Sequence, residues 1–161
     1  MRAPRKTGPR SITQRDPMPR YGLTLDIFAA LDQNDLAGVI PHLADDVHGS
    51  IRLPDGMVAE FRSRSEYVEK IGLVVSGMRA AGVTSRTKIT NYDASDDPCT
   101  ILASIDLMRL YVAGSLRVHL RGHATFVWSK GEEGHKISQW RITWEKDREQ
   151  SGDWTREVNR E

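Results

Sequence analysis

The chain has 161 residues, of which 39% are hydrophobic and 28% are charged, and its formal net charge is +1. These values are typical of one globular domain with a sizeable core. They argue against a membrane-spanning class, because no stretch approaches the roughly 20 apolar residues that a transmembrane helix needs. The beginning of the chain shows no signal-peptide pattern, and Cys99 is its only cysteine. We therefore expect a cytoplasmic protein.

Charge is distributed unevenly along the chain. Residues 1–20 carry six basic residues against one acidic residue, together with four prolines. We predict a disordered basic tail over 1–20, which is either a solvated leader or an arm that grips nucleic acid or acidic lipid. Residues 21–146 form the predicted domain, and because the rest of the chain is net acidic we expect this domain to bind neither nucleic acid nor membrane. Residues 147–161 are a charged tail in which Trp154 is the large apolar residue.

Two helical segments open the predicted domain. The first is expected to begin near Thr24, with Ile27, Phe28 and Leu31 as its apolar stripe. A short second helix is expected over 36–43, where Pro41 tightens or kinks it.

A short hairpin, a long helix and an edge strand follow. Strands are predicted over 47–53 and 57–61, with a Pro-Asp-Gly turn between them. Ser63 and Glu66 match the capping box, in which each side chain accepts a bond from a free backbone N–H, so a helix should begin there and end near Gly82. Residues 84–92 predict a polar strand at the edge of a sheet.

The longest β-rich stretch, 100–128, is predicted to be one hairpin that turns at Ala113-Gly114. After the turn, apolar residues at even-numbered positions alternate with polar residues at odd-numbered positions. The last strand, 135–144, alternates in the same way and places Trp140, Ile142 and Trp144 on one side. One face of this sheet should therefore pack on a core, and the other should be polar.

Helices and strands are segregated in this order instead of alternating, which indicates an α+β fold. We predict a cone-shaped, strongly curved antiparallel sheet wrapped over the N-terminal helices. An apolar cavity between sheet and helices is the expected place for a small ligand.

Three stretches carry a resemblance to a known family: AALDQNDLAGVIPHLADDV, the capped helix, and TFVW followed by KISQWRITWE. Over about residues 22–146 the chain resembles the nuclear transport factor 2-like superfamily, which includes SnoaL-like polyketide cyclases, ketosteroid isomerase and limonene epoxide hydrolase. The resemblance implies a cystatin-like roll that encloses a pocket and a homodimer formed through the back of the sheet. Because this fold hosts many functions, it does not by itself assign one.

Few of the family's site residues have a counterpart of the same type in this sequence. The general base of ketosteroid isomerase falls at Ile51, and its two oxyanion-binding groups fall near Ala124 and Ile27. Limonene epoxide hydrolase is similar at SIDLMRL, where its first aspartate matches Asp106, but its arginine and second aspartate match Ser104 and Ile142. Asp106 is therefore the one family carboxylate that the resemblance retains.

Asp106 is the predicted catalytic residue, because a carboxylate enclosed in an apolar pocket has a raised pKa that suits it to acid–base chemistry near neutral pH. Its direction depends on the register of the hairpin. A two-residue turn at Ala113-Gly114 pairs Asp106 with Arg121 on the back of the sheet and turns Arg109 and Tyr111 inward. A three-residue loop points Asp106 into the pocket, and the resemblance favours this second register.

Further residues have candidate roles on each face of the sheet. Trp140, Trp144, Met108 and Phe28 are predicted to contact the ligand. His119 and His123 lie about 13 Å apart on a strand, too far to share a zinc ion, so we predict no metal site. They fit a polar outer face that forms the dimer interface.

Two functional hypotheses remain open. The first is a SnoaL-like enzyme that performs cofactor-free acid–base chemistry, as a cyclase, isomerase or hydrolase, on a hydrophobic small molecule. The second is a non-catalytic domain that binds a ligand or assembles through the back of the sheet. The sequence has no Gly-rich phosphate loop and no nucleophile elbow, and we expect no cofactor.

Overall fold

The computed structural model describes residues 18–95 and 97–147. Their helices and strands are α1 (Tyr21–Asp32), β1 (Leu43–Arg52), β2 (Val58–Phe61), α2 (Arg64–Ala80), β3 (Thr84–Ala94), β4 (Thr100–Ala113), β5 (Leu116–Gly131) and β6 (Gly134–Lys146). The predicted short second helix is two separate 3-10 turns, Leu36–Gly38 and Ile40–His42, the second of which contains Pro41. The predicted tails lie almost wholly outside the described residues, as does Trp154, and they stay predictions.

The described strands form one six-stranded sheet in the order β2-β1-β6-β5-β4-β3. The α+β prediction is confirmed, and residues 84–94 form the expected edge strand. The expectation of an entirely antiparallel sheet is wrong at one pair, because β1 runs parallel to β6. Alternation within a strand predicts which face is buried, but it carries no information about which distant strand lies alongside or in which direction.

Three register shifts interrupt the ladders of the sheet. They fall between Leu43 and His48 in β1, between Ile89 and Asn91 in β3, and at Val127–Trp128 in the β5–β6 pair. Extra residues at such bulges bend a strand and increase its twist. Bulges in β1, β3 and the β5–β6 pair thus provide the curvature that the sequence predicted for a sheet wrapped over helices.

Helix α1 begins at Tyr21, three residues before the predicted start. Thr24 is buried there, and its hydroxyl donates to the carbonyl oxygen of Arg20 at 2.7 Å. Ile27 and Phe28 are buried as predicted. The Phe28 ring stacks on Phe126 of β5 with centroids 5.8 Å apart, so α1 packs on the face of the sheet that carries Phe126.

Helix α2 begins as its capping box predicts. The Ser63 hydroxyl accepts from the Glu66 N–H at 3.1 Å, and Glu66 accepts from the Arg62 N–H at 3.1 Å. Its buried residues include Tyr67, whose ring lies 5.2 Å from that of Trp140 on β6. Since both helices contact the same side of the sheet, we call this side the inner face and the opposite side the outer face.

The β4–β5 hairpin has a register that neither sequence alternative gave. Ala113 pairs with Leu116, so the two-residue turn is Gly114-Ser115. Gly114 has a φ of 63°, and glycine at the first central position is what a type II′ turn requires. This register places Asp106 opposite His123. Because residues alternate between faces, it also places Arg109 on the inner face.

Candidate functional site

The inner face and helix α2 enclose a cavity of about 130 Å³. Its walls are mostly aliphatic and aromatic side chains, and the polar atoms come from a few residues that interrupt them. The residues that line it are Leu31, Asn34, Ile51, Leu53, Ala59, Tyr67, Ile71, Val74, Val75, Met78, Ser85, Arg109, Tyr111, Trp140, Ile142 and Trp144. An apolar concavity with a few polar groups is the usual form of a small-molecule site.

A hydrogen-bonded cluster ties the end of α1 to β3 at one wall of the cavity. Asp32 is the last residue of α1, where a carboxylate is unfavourable for the helix dipole. Its oxygens instead accept three bonds from β3: from the Ser85 hydroxyl, the Thr87 N–H and the Thr87 hydroxyl, each at 2.7 Å. Asp32 therefore has a tertiary role, and it holds α1 against the edge of the sheet.

Arg109 of β4 joins this cluster from the inner face. Its Nε–H donates to the Thr87 hydroxyl at 2.8 Å, its Nη1 donates to the Tyr111 hydroxyl at 3.1 Å, and Nε lies 3.9 Å from Asp32 Oδ1. The Arg109 side chain is only 10% exposed. Because a buried charge is costly unless it is paired and hydrogen-bonded, these contacts are what make an arginine tolerable here.

The Trp144 ring supports the Arg109 guanidinium from β6. The guanidinium carbon lies 4.5 Å from the ring centroid, which is within cation–π distance. Trp144 in turn lies on Gly122 of β5, where an added Cβ would come within 2.5 Å of the ring. Gly122 thus leaves room for the tryptophan to lie on the sheet, and the tryptophan fixes the plane of the guanidinium.

Several buried polar atoms of cavity-lining residues have no hydrogen-bond partner among the described residues. Three are donors: Arg109 Nη2, the Tyr67 hydroxyl and Trp140 Nε1. The fourth is an acceptor, Asn34 Oδ1. Buried polar groups are nearly always hydrogen-bonded, so the unpaired atoms around this cavity have bonding capacity left for water or for a ligand.

Tyr67 stays a hydroxyl donor at physiological pH. Burial raises the pKa of its phenol well above the ordinary value, while the charge of Arg109 acts in the opposite direction and only partly offsets the rise. The phenolate is therefore not available as a base. What Tyr67 offers a bound molecule is an O–H to donate.

We expect Tyr67→Phe to leave the free energy of unfolding unchanged or to raise it by about 1 kcal/mol, because the variant removes a buried hydroxyl that lacks a partner. Urea denaturation followed by tryptophan fluorescence measures this value. Tyr111→Phe is the matched control, since the Tyr111 hydroxyl accepts from Arg109 and its loss should cost about 1 kcal/mol. A destabilised Tyr67→Phe variant would show that the hydroxyl is already bonded within the protein.

The structure places two of the four predicted ligand contacts at the cavity. Trp140 and Trp144 line it, whereas Phe28 is packed behind them in the core against Phe126. Met108 lies on the outer face, because the observed register puts the even-numbered residues of β4 there. Contact between any of these residues and a ligand remains a prediction.

The prediction that Asp106 points into the cavity is wrong. Asp106 lies on the outer face and accepts from His123 Nδ1 at 2.8 Å, with the two side chains 51% and 56% exposed. The cause is the turn at Gly114-Ser115, which gives Asp106 the same direction as the back-facing alternative, although its partner is His123 instead of Arg121. The solvated carboxylate thus lacks the apolar enclosure on which its proposed acid–base role depended.

A chain of polar contacts continues from this pair to Ser104, whose hydroxyl lies 3.5 Å from His123 Nε2. Serine, histidine and aspartate in this order resemble a hydrolytic triad. The surroundings do not support that function, because Ser104 is in the middle of a strand whose neighbours use their backbone N–H groups in the ladder. Without donors aimed at a developing oxyanion, such a site lacks its largest catalytic contribution.

We expect Asp106→Asn to change the free energy of unfolding by only about 0–1 kcal/mol, because exposed ion pairs contribute little. Ligand binding in the inner cavity should be unaffected, since Asp106 lies on the other side of the sheet. Chemical denaturation measures the first effect, and titration with a cavity ligand measures the second. Lost binding in a stable Asp106→Asn protein would reinstate the residue as part of the site.

Arg109, Tyr67 and Asp32 were not singled out as site residues by the sequence analysis. One signal was present, because Arg109 continues the odd-numbered apolar series that begins with Ile101 and runs to Leu107. The back-facing register of Asp106 also implied that Arg109 and Tyr111 point inward. Nothing local indicated that Asp32 meets β3.

Among the helices of residues 18–95 and 97–147, none is both long and apolar enough to cross a bilayer. Within the same ranges, the acidic, histidine and cysteine side chains do not gather in threes as a metal site would require.

Comparison with solved structures identifies the fold. The chain is similar to a candidate dehydratase of the NTF2-like family from Streptomyces avermitilis, with a TM-score of 0.62 and 18% identity over 78% of this chain and 94% of that one. It is also similar to the beta subunit of the benzoate 1,2-dioxygenase from Burkholderia mallei, with a TM-score of 0.67 and 11% identity over 83% of this chain and 93% of that one. An NTF2-like protein of unknown function from Pseudomonas putida gives a TM-score of 0.61 and 16% identity over 80% and 85%.

The chain therefore has the NTF2-like fold, as its resemblance to that superfamily indicated. No family model and no curated protein matches the sequence. At these identities the likeness establishes the fold and leaves the function to the site.

Proposed function

We propose that the protein binds a small, mainly apolar molecule in the cavity between α2 and the inner face of the sheet. The observation that carries the proposal is the cavity itself, whose walls are apolar apart from a few polar groups around Arg109. A cavity of about 150 Å³ lined by apolar side chains accepts benzene. A volume of about 130 Å³ therefore suits a molecule of roughly the size of one small ring.

An entrance is available at one end of the cavity. Leu53 and Val74 line it and are also exposed to solvent. A wider groove of about 700 Å³ begins there and shares Leu53 and Tyr111 with the cavity. A ligand with a longer tail would place its head in the cavity and the tail in the groove.

Binding of neutral apolar probes tests this function directly. We expect methylcyclopentane and xenon to produce saturable chemical-shift changes in the methyl groups of Val75 and Ile142, which line the cavity. Met78→Trp should block the effect, because Met78 is half-buried in the cavity wall. Leu73→Trp is the matched control on the same helix, since Leu73 is 74% exposed and does not line the cavity. If neither probe enters the wild-type protein, the proposal fails.

A second candidate is that the same site is catalytic and performs cofactor-free acid–base chemistry, as the sequence analysis suggested. The specific observation in its favour is the set of buried donors, Arg109 Nη2 and the Tyr67 hydroxyl, because fixed donors stabilise negative charge that develops on a carbonyl oxygen. Asp106 is not the base in this version. Asp32 is the carboxylate in contact with the cavity-lining residues Ser85 and Arg109.

Hydrogen–deuterium exchange of a small ketone distinguishes catalysis from binding. A catalytic site would accelerate exchange at the α-carbons of cyclopentanone in deuterated buffer, followed by proton NMR, and Tyr67→Phe would slow the exchange about tenfold or more. Exchange at the rate of buffer alone, with cyclopentanone bound, would leave the protein a binder and not an enzyme of this type.

We also propose that a second copy of the chain covers the outer face, as the family resemblance implied. A groove of about 590 Å³ on this face is lined by charges of both signs, including Asp106, Arg121 and Glu145. Two such faces related by a twofold axis can pair opposite charges. Light scattering should give twice the mass of the chain, and Arg121→Glu should shift it towards the monomer while Lys70→Glu on α2 does not. A monomeric wild-type protein at micromolar concentration would contradict this proposal.

A further inference from the structure

We propose that the molecule bound in the cavity carries a carboxylate, which Arg109 recognises with help from Tyr67 and Trp140. The inference rests on the proposed function, because it specifies the polar group of the ligand that the cavity holds. It is carried by the bonding capacity that the described residues leave unused around Arg109.

Among the described residues that line the cavity, Arg109 is the only one with a charged side chain. Its negative partner, Asp32, lies behind the wall, bonded to Ser85 and Thr87 of β3. A molecule that enters the cavity therefore meets positive charge in surroundings of low polarity, where an attraction between opposite charges is stronger than in water.

The guanidinium group of Arg109 has one nitrogen whose hydrogen-bond donors are unused. Arginine has five N–H donors. Nε donates to Thr87 and Nη1 donates to Tyr111, whereas Nη2 has no partner among the described residues. Asp32 does not fill this gap, because its oxygens already accept three bonds and its approach to Arg109 is a 3.9 Å contact with Nε. Arg109 can therefore accommodate a further anionic oxygen.

Two other residues of the cavity wall also have unused hydrogen-bond donors. The Tyr67 hydroxyl and Trp140 Nε1 also lack partners within the described residues, and both side chains line the same cavity. A carboxylate has two oxygens and about four lone-pair directions, so its acceptor capacity suits three donors better than that of a single carbonyl oxygen. Each of these three atoms is itself buried, so side-chain shifts must accompany binding.

One unpaired atom of the cavity-lining residues is an acceptor instead of a donor. Asn34 Oδ1 is unpaired among the described residues, while its amide nitrogen donates to the Val83 carbonyl oxygen at 3.3 Å. A carboxylate offers nothing to this atom. We assign it instead to a hydroxyl group of the ligand or to a water molecule, because either one can donate.

The Arg109 guanidinium is held in position before a ligand arrives. Trp144 supports it from one side at 4.5 Å, and Thr87 and Tyr111 fix two of its nitrogens. A donor that is already oriented loses little freedom on binding, which favours affinity. The geometry thus suits recognition of a carboxylate better than a flexible surface arginine does.

Three molecules built on the same five-membered ring test the inference: cyclopentanecarboxylate, nitrocyclopentane and methylcyclopentane. The nitro group matches the carboxylate in shape but carries no net charge. We expect cyclopentanecarboxylate to bind at least about tenfold more tightly than nitrocyclopentane in titration calorimetry, since a hydrogen bond to a charged group is worth that ratio or more. Methylcyclopentane reports on the cavity alone.

Variants assign the preference to the proposed residues. Arg109→Met should abolish the advantage of the carboxylate, so that cyclopentanecarboxylate and nitrocyclopentane bind the variant with affinities within about threefold of each other. Tyr67→Phe preserves the charge and is expected to fold, so it decides the matter if Arg109→Met does not fold. It should weaken cyclopentanecarboxylate binding by about threefold to tenfold relative to methylcyclopentane binding.

The outcomes separate this inference from the proposed function. Binding of methylcyclopentane without any preference for the carboxylate would overturn the inference and leave the apolar site standing. A carboxylate preference that survives in both variants would place the binding elsewhere and overturn it as well. If none of the three molecules binds, the proposed function fails first.

Discussion

Gly49→Ala is expected to destabilise the protein by about 3 kcal/mol, which is a large effect for the addition of one methyl group. An alanine Cβ at this position would lie 1.8 Å from the Trp140 carbonyl oxygen and 2.7 Å from its carbonyl carbon. These are backbone atoms of β6, so no side-chain rotation relieves the overlap. The parallel β1–β6 pair, in which Gly49 is opposite Trp140, would have to separate locally.

Gly77→Ala is the matched control for this change. Gly77 lies in α2, and nothing comes within 4 Å of an added Cβ. The same substitution there should stabilise the protein by about 0.5–1 kcal/mol, because glycine is a poor residue for a helix interior. Guanidinium denaturation of the two variants beside the wild type measures both effects. Equal midpoints for the two variants would show that β1 and β6 are not joined as described.

Arg109→Met is expected to cost about 3 kcal/mol of unfolding free energy. Removing the arginine leaves Asp32, which is 16% exposed, as a buried carboxylate without its cationic neighbour, and breaking one side of a buried pair has an effect of this size. The loss of the contact between the guanidinium and the Trp144 ring adds to it. Denaturant titration gives the free energy directly.

A double-mutant cycle separates the interaction energy of Arg109 and Asp32 from the contribution of packing. Asp32→Asn alone should destabilise, and the Asp32→Asn, Arg109→Met double variant should be more stable than the sum of the single effects predicts, by about 1–3 kcal/mol. Strictly additive effects would mean that Arg109 and Asp32 do not interact, and that Arg109 is held only by Trp144, Thr87 and Tyr111.

Much of the fold could be predicted from local sequence patterns. The capping box at Ser63 and Glu66 predicted the start of α2 within one residue. Alternation along β5 and β6 correctly assigned Phe126, Trp128 and Trp140 to the buried side. These predictions succeeded because a cap depends on backbone N–H groups within one turn, and alternation depends on the pleat of a single strand.

Much less of the candidate site could be predicted from the sequence. Its main elements are Asp32 at the end of α1, Arg109 in the middle of β4, and Tyr67 on α2. Each is an ordinary residue in its own segment, and only their meeting makes a site. The preferred prediction instead selected Asp106, and one turn residue decided against it, because a shift of a single position reverses every side chain of a strand.

The sequence alone determined the class of fold, the buried faces of β5 and β6 and the start of α2, because short-range geometry governs these features. The tertiary structure decided the Gly114-Ser115 register, the parallel pairing of β1 with β6, and the convergence of Arg109, Tyr67 and Trp140 on one cavity. The parallel pairing and the convergence on the cavity depend on how sequence-distant segments dock. The free energy of docking is a small difference between burial and chain entropy summed over the whole domain, which no single stretch of sequence contains.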